Sequence, residues 1–219
     1  MKIKDVYLRK GIPVVSLTLG GLCVAVTALS VLTSQSETFA LTYPVKYPWQ
    51  LVTYVFQHHT PQEQIPPELS YSARDLTIGH LGYNLLLLLP YGILVEKVIG
   101  SKRLLLVSAT AWLVDTITMF GFALALSKKG TPFICKGGSG VAFSFVPLAA
   151  YILFVLGKKY GLGKLLKQLT FYLLMPLILS SFVIAFNPTI AGTFSMVIHL
   201  IGILCGALFA FLFRKKINL

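Results

Sequence analysis

Three stretches of this chain hold residue types that do chemistry when they meet. A serine stands among glycines in Gly137-Gly138-Ser139-Gly140. His80 and Asn84 stand four residues apart in Gly79-His80-Leu81-Gly82-Tyr83-Asn84, so both point to one face if that stretch is helical. His199 is followed by Gly202, which shares its helical face, and by Gly206 close to it. Together these are a nucleophile, a base and hydrogen-bond donors. Singly, each has a plainer role. A serine at a helix start caps it, glycines mark turns, and a lone histidine in a membrane bonds a neighbouring helix. The difference lies in whether the surrounding elements bring all four residues to one depth.

Those elements follow from composition. Of 219 residues, 56% are hydrophobic and only 12% charged. The apolar residues fall in runs of roughly 20, the length that crosses a bilayer as a helix. Six such runs occur, at 12–33, 78–97, 104–126, 139–157, 169–187 and 194–213. They predict an all-α, multi-pass membrane protein with six transmembrane helices. No linker or charge block divides the chain, so residues 1–219 read as one domain. One long connection, 34–77, joins the first two spans, and a short interfacial helix is expected between Trp49 and His58. His80 and Asn84 open the second span, Ser139 the fourth, and His199 lies in the sixth. With alternating spans, all four reach the outer halves of their helices.

The net charge of +12 invites a nucleic-acid reading, but its distribution does not. The segments sharing a side with the N-terminus hold 14 of the 19 basic residues, while Lys46, Arg74, Lys128, Lys129 and Lys136 fall opposite. That asymmetry predicts two cytoplasmic termini and contact with anionic lipid, with no nucleic-acid partner. The first run is too long for a signal-peptide core and lacks an adjacent small-residue site, so it reads as a retained span; cleavage near Ala40 is the alternative. Cys23, Cys135 and Cys205 are not spaced as a disulfide framework or as zinc ligands. His58 and His59 are adjacent, a poor geometry for one metal, and no metal or cofactor is expected. Asp115, midway along the third span, is read as structural, and Glu96 as an interfacial residue pairing locally.

The ordered motifs resemble those of the rhomboid intramembrane serine proteases. His80-x-x-x-Asn84 looks like the family's HxxxN, and Gly137-x-Ser139-Gly140 like its GxSG. His199-x-x-Gly202-x-x-x-Gly206 looks like its HxxGxxxG, and Glu96-Lys97 with Gly100 like its glutamate and following glycine. Trp49-Gln50-x-x-Thr53, ending in His58, resembles its Trp-Arg segment, with Gln50 where the family usually has arginine. The spacer from His58 to His80 is much longer than the family's.

The resemblance implies a six-helix rhomboid-like bundle and a Ser139–His199 dyad without an aspartate. It implies oxyanion stabilisation by His80, Asn84 and the Ser139 amide, with Gly137, Gly140, Gly202 and Gly206 supporting a tight turn and close helix packing. The expected partners are transmembrane protein substrates, and the expected site is a bacterial plasma membrane. Two alternatives share these sequence features. One is a non-catalytic rhomboid-like scaffold that binds transmembrane helices. The other is a small transporter using Asp115, against which stands the lack of an evident inverted repeat.

Overall fold

The computed structural model describes residues 6, 10–65, 72–128, 133–185, 187 and 193–217. Pro66 and Pro67 of the long connection, Thr131 and Pro132 ahead of the glycines, and Phe186 at the end of the fifth run lie outside them. So do Lys2, Lys4, Arg9 and Lys129 of the charge pattern.

The elements are α1 (Val14–Thr33), α2 (Ser36–Phe39), β1 (Leu41–Tyr43), α3 (Gln50–Thr53), α4 (Ala73–Ile99), α5 (Ser101–Ser127), β2 (Phe133–Cys135), α6 (Ser139–Tyr160), α7 (Leu162–Leu165), α8 (Leu169–Ala185) and α9 (Thr193–Leu212). Helix dominates because hydrocarbon offers no water to backbone groups, so each span must satisfy its own. Among the described residues α1, α4, α5, α6 and α9 are long and apolar enough to cross a membrane. The fifth expected span is α8, a helix of 17 residues. That is about 25 Å, short of a hydrocarbon core of about 30 Å. The helix expected between Trp49 and His58 is α3, continued by a 3₁₀ turn at Tyr54–Phe56. Two strands were not expected: β1 and β2 pair antiparallel, Leu41 with Cys135 and Tyr43 with Phe133.

The chain forms two compact units. The first comprises Met1–Leu17, Leu87–Asp115 and Gly140–Leu219. Its centre is α6: 67% of the apolar window of this helix is buried, against at most 39% for the other long helices. Phe143, Phe145, Val146, Leu148 and Ala149 are fully covered. α9 approaches α6 through missing side chains. A Cβ on Gly202 would strike the Gly140 carbonyl oxygen, and one on Gly206 the Ser144 carbonyl oxygen. Lipid is as apolar as leucine, so contact of this kind, rather than exclusion of water, holds membrane helices together.

Glu96 pairs more widely than the local partner expected for it in this unit. It is buried, at 4% exposure. Its carboxylate accepts from the N–H groups of Val15 (2.9 Å) and Ser16 (2.8 Å) and from the hydroxyls of Ser16 and Ser101, each at 2.7 Å. An anion thus satisfies orphan donors in the first turn of α1 and meets the first residue of α5, where helix dipoles favour negative charge. The contact is tight, since a Cβ on Gly92 would lie 2.9 Å from the Ser16 hydroxyl oxygen.

The second unit comprises Thr18–Leu86 and Thr116–Ser139. Its loop segments are organised by two buried amides. Gln50 Oε1 accepts from Thr42 Oγ1 (3.1 Å) and from the N–H groups of Lys46 (3.0 Å) and Tyr47 (3.2 Å), while Nε2 donates to the Glu37 carbonyl (2.7 Å). Gln57 Nε2 donates to Ser36 Oγ (2.9 Å) and Ser30 Oγ (3.2 Å). Three of the four bonds of Gln50 need an acceptor, and a guanidinium has none. Gln50→Arg, which installs the residue usual in the family, is therefore expected to lower stability by about 2–3 kcal/mol. Thermal unfolding in detergent reads this, and an unchanged midpoint contradicts it.

Candidate functional site

The glycines before Ser139 belong to the second unit and make a turn that only glycine permits. Gly137 has φ +108°, a backbone state that L side chains rarely adopt. A Cβ there would also lie 2.8 Å from His80 Nε2. One on Gly138 would lie 2.7 Å from the Val55 carbonyl oxygen. The turn is moored by the Gly137 N–H, which donates to the Tyr54 carbonyl at 2.8 Å. Ser139 then opens α6. Its N–H is among the first four of the helix, which have no partner within it and carry the positive end of the dipole.

Two imidazoles lie under this turn. The His58 and His80 rings meet edge to face, with centroids 4.8 Å apart. The long spacer between them therefore does not separate them; the inserted chain leaves and returns. Asn84 is buried and donates to the His80 carbonyl at 2.9 Å. His58 is fully buried, with Nδ1 facing the Phe56 carbonyl at 3.1 Å and its backbone N–H donating to Thr27 Oγ1 at 3.1 Å. A carbonyl only accepts, so Nδ1 carries the proton and Nε2 is left as an acceptor. The Gly138 N–H points at that nitrogen from 3.5 Å. Burial, and next the neighbouring His80, push the His58 pKa down to about 3, so the ring stays neutral at physiological pH. Burial likewise lowers the Lys136 amine to about 8, and its Nζ donates to Gln64 Oε1 at 2.7 Å.

His59 turns the other way, its Nδ1 lying 3.2 Å from Thr77 Oγ1. No three His, Cys, Asp or Glu side chains converge as metal ligands among the described residues.

The first unit holds the remaining expected residues. His199 is 5% exposed, and its ring stacks on Phe143 with centroids 4.1 Å apart. Gly202 lies one turn further along α9, against Gly140 and 3.2 Å (from an added Cβ) from Phe143 Cβ. Gly140 has a second close neighbour: its missing side chain leaves room for the Asp115 carboxyl. Asp115 is 3% exposed, and its Oδ1 is buried without a hydrogen-bond partner among the described residues.

The second unit thus gathers His80, Asn84, Gly137 and Ser139, with His58 beneath the turn. The first unit gathers His199, Gly140, Gly202 and Gly206, with Asp115 and Phe143. The contacts that Phe143, Asp115 and His58 make here are not legible in residue order. Phe143 is one apolar residue among many, and nothing local links Asp115 to Gly140. For His58 a signal existed: the apolar Tyr54-Val55-Phe56 just ahead of it marks a segment about to be buried.

A family model described as Rhomboid domain matches residues 70–216, a stretch that includes His80, Asn84, Ser139 and His199. No curated protein matches the chain significantly.

Proposed function

We propose that this chain, which belongs to the rhomboid family, is an intramembrane serine endopeptidase. It is an integral multi-pass membrane protein, and its substrates are transmembrane segments of other proteins. Ser139 Oγ attacks the scissile carbonyl while His199 takes its proton. His199 then protonates the leaving amine, and water attacks the acyl-enzyme by the same base. The Ser139 N–H, with side-chain donors from His80 and Asn84, stabilises the oxyanion. Each such donor lowers the barrier by about 3–4 kcal/mol. No metal or cofactor enters any of these steps.

What carries this reading is the packing of α6 on α9 at Gly140 and Gly202. Gly140 is bonded to Ser139, and Gly202 lies one helical turn from His199. A family in which most members are serine proteases supplies the rest of the support. The basic-residue asymmetry supports two cytoplasmic termini. A fluorophosphonate probe tests the assignment. Labelling is expected to map to Ser139 and to disappear in His199→Ala. Labelling elsewhere, or labelling that survives the histidine change, overturns it.

A further inference from the structure

His58 has no part in the steps above, yet it is fully buried and aimed at the turn that leads into Ser139. Its two ring nitrogens differ in role. Nδ1–H is held by the Phe56 carbonyl at 3.1 Å, and that bond leaves the Nε2 lone pair facing the Gly138 N–H. The backbone around it grips the same turn: Tyr54 O takes the Gly137 N–H, and Val55 O leaves room at Gly138 only for glycine. Residues 54–58 therefore form a template against which the turn is laid. On the Nδ1 side, Thr27 Oγ1 lies 3.4 Å from the ring nitrogen, accepts the His58 backbone N–H at 3.1 Å and donates to Phe56 O at 3.2 Å. Turning the ring away breaks the bond from Nδ1 to the Phe56 carbonyl.

Resting on the proteolytic reading, we propose that His58 is a positioning residue. Its Nδ1–H tautomer holds the Gly138 N–H, so that the next amide, that of Ser139, is aimed at the oxyanion. Because the ring stays neutral, this hold persists across the working pH range. A misplacement of about 1 Å in such a donor costs up to about 100-fold in rate.

Three variants separate the two nitrogens. His58→Gln keeps an acceptor near the Nε2 position, His58→Asn keeps only a donor near Nδ1, and His58→Phe keeps ring volume with neither. Cleavage of a single-span substrate in proteoliposomes is expected to fall about 10- to 100-fold in kcat for the Asn and Phe variants, with KM unchanged. The Gln variant stays within about three-fold of wild type. The acid limb of the rate profile does not move in any of them, because His58 does not titrate there. Amide hydrogen exchange at Gly138 is expected to quicken in the Asn and Phe variants and to stay slow with Gln, a readout independent of activity. If wild type cleaves and labels at Ser139 while the Asn and Phe variants match it, the inference about His58 falls alone. The same holds if Gly138 exchange is identical in all four proteins, or if the Gln and Asn variants lose activity equally and in step with thermal stability. An inert wild type with the expected exchange pattern overturns the proteolytic reading and leaves His58 only as an anchor of the turn.

Discussion

Replacing Ser139 with alanine is expected to abolish cleavage of a transmembrane substrate in proteoliposomes, a loss of 10⁴-fold or more on the order of other nucleophile deletions. The change removes only the oxygen that would form the acyl-enzyme. Alanine is smaller than serine and starts a helix without strain, so the turn at Gly137–Gly138 keeps its bonds. Binding of the substrate, read by crosslinking or energy transfer, is expected to stay within about two-fold, since the lost interaction belongs to the transition state. His199→Ala should lose a similar amount, and the double variant little more, because the two act as a unit. A non-catalytic helix-binding scaffold makes the opposite pattern: wild type and Ser139→Ala bind alike and neither cuts. Cleavage that persists in Ser139→Ala eliminates this serine as the nucleophile.

The second large effect is mechanical. An added methyl at Gly202 or Gly206 meets a backbone carbonyl of α6, at Gly140 or Ser144. A carbonyl inside a helix cannot rotate aside, so α9 must move out along its whole length. Gly202→Ala and Gly206→Ala are each expected to lose about 3 kcal/mol or more. The rate is expected to fall with them, since one turn separates Gly202 from the candidate base. Gly140→Ala differs in kind. Its methyl meets the Asp115 side chain rather than backbone. Pairing it with Asp115→Ala opens that space and also removes a buried carboxyl, so the double variant should recover much of the loss. A coupling energy of about 1–3 kcal/mol in the four-variant cycle is the expected signature. Thermal unfolding in bicelles measures all of these. A Gly206→Ala protein as stable as wild type would show that the helices are not in contact there.

The same two regions show what could be read from residue order and what could not. The long helices were legible because a span announces itself locally: about 20 apolar residues must cover about 30 Å of hydrocarbon. Their polar ends were less so, since Ala73-Arg74-Asp75 and Ser101-Lys102-Arg103 are helical without being apolar. α8 is apolar throughout but covers 17 residues among the described ones, fewer than the other long helices. The β1–β2 pair was invisible, because three-residue strands contain too few positions to display alternation and their partners lie about ninety residues apart.

Polar residues divided in the same way. Gln50 looked like a lost arginine, yet its amide makes the four bonds that organise the loop around it. Glu96 looked like a residue that pairs locally, yet it joins the start of α1 to the start of α5.

Residue order alone determined that this chain lies in a membrane, roughly where it crosses, that it carries rhomboid motifs, and which serine and histidine to suspect. Those properties depend on the composition of single segments and on spacing within one helix. Tertiary structure decided that His58 meets His80 across a long insertion, that Asp115 fills the space Gly140 leaves, and that Gly202 and Gly206 of α9 face the α6 backbone. Such pairings depend on how separate segments pack, and packing is set by the shape of both partners at once.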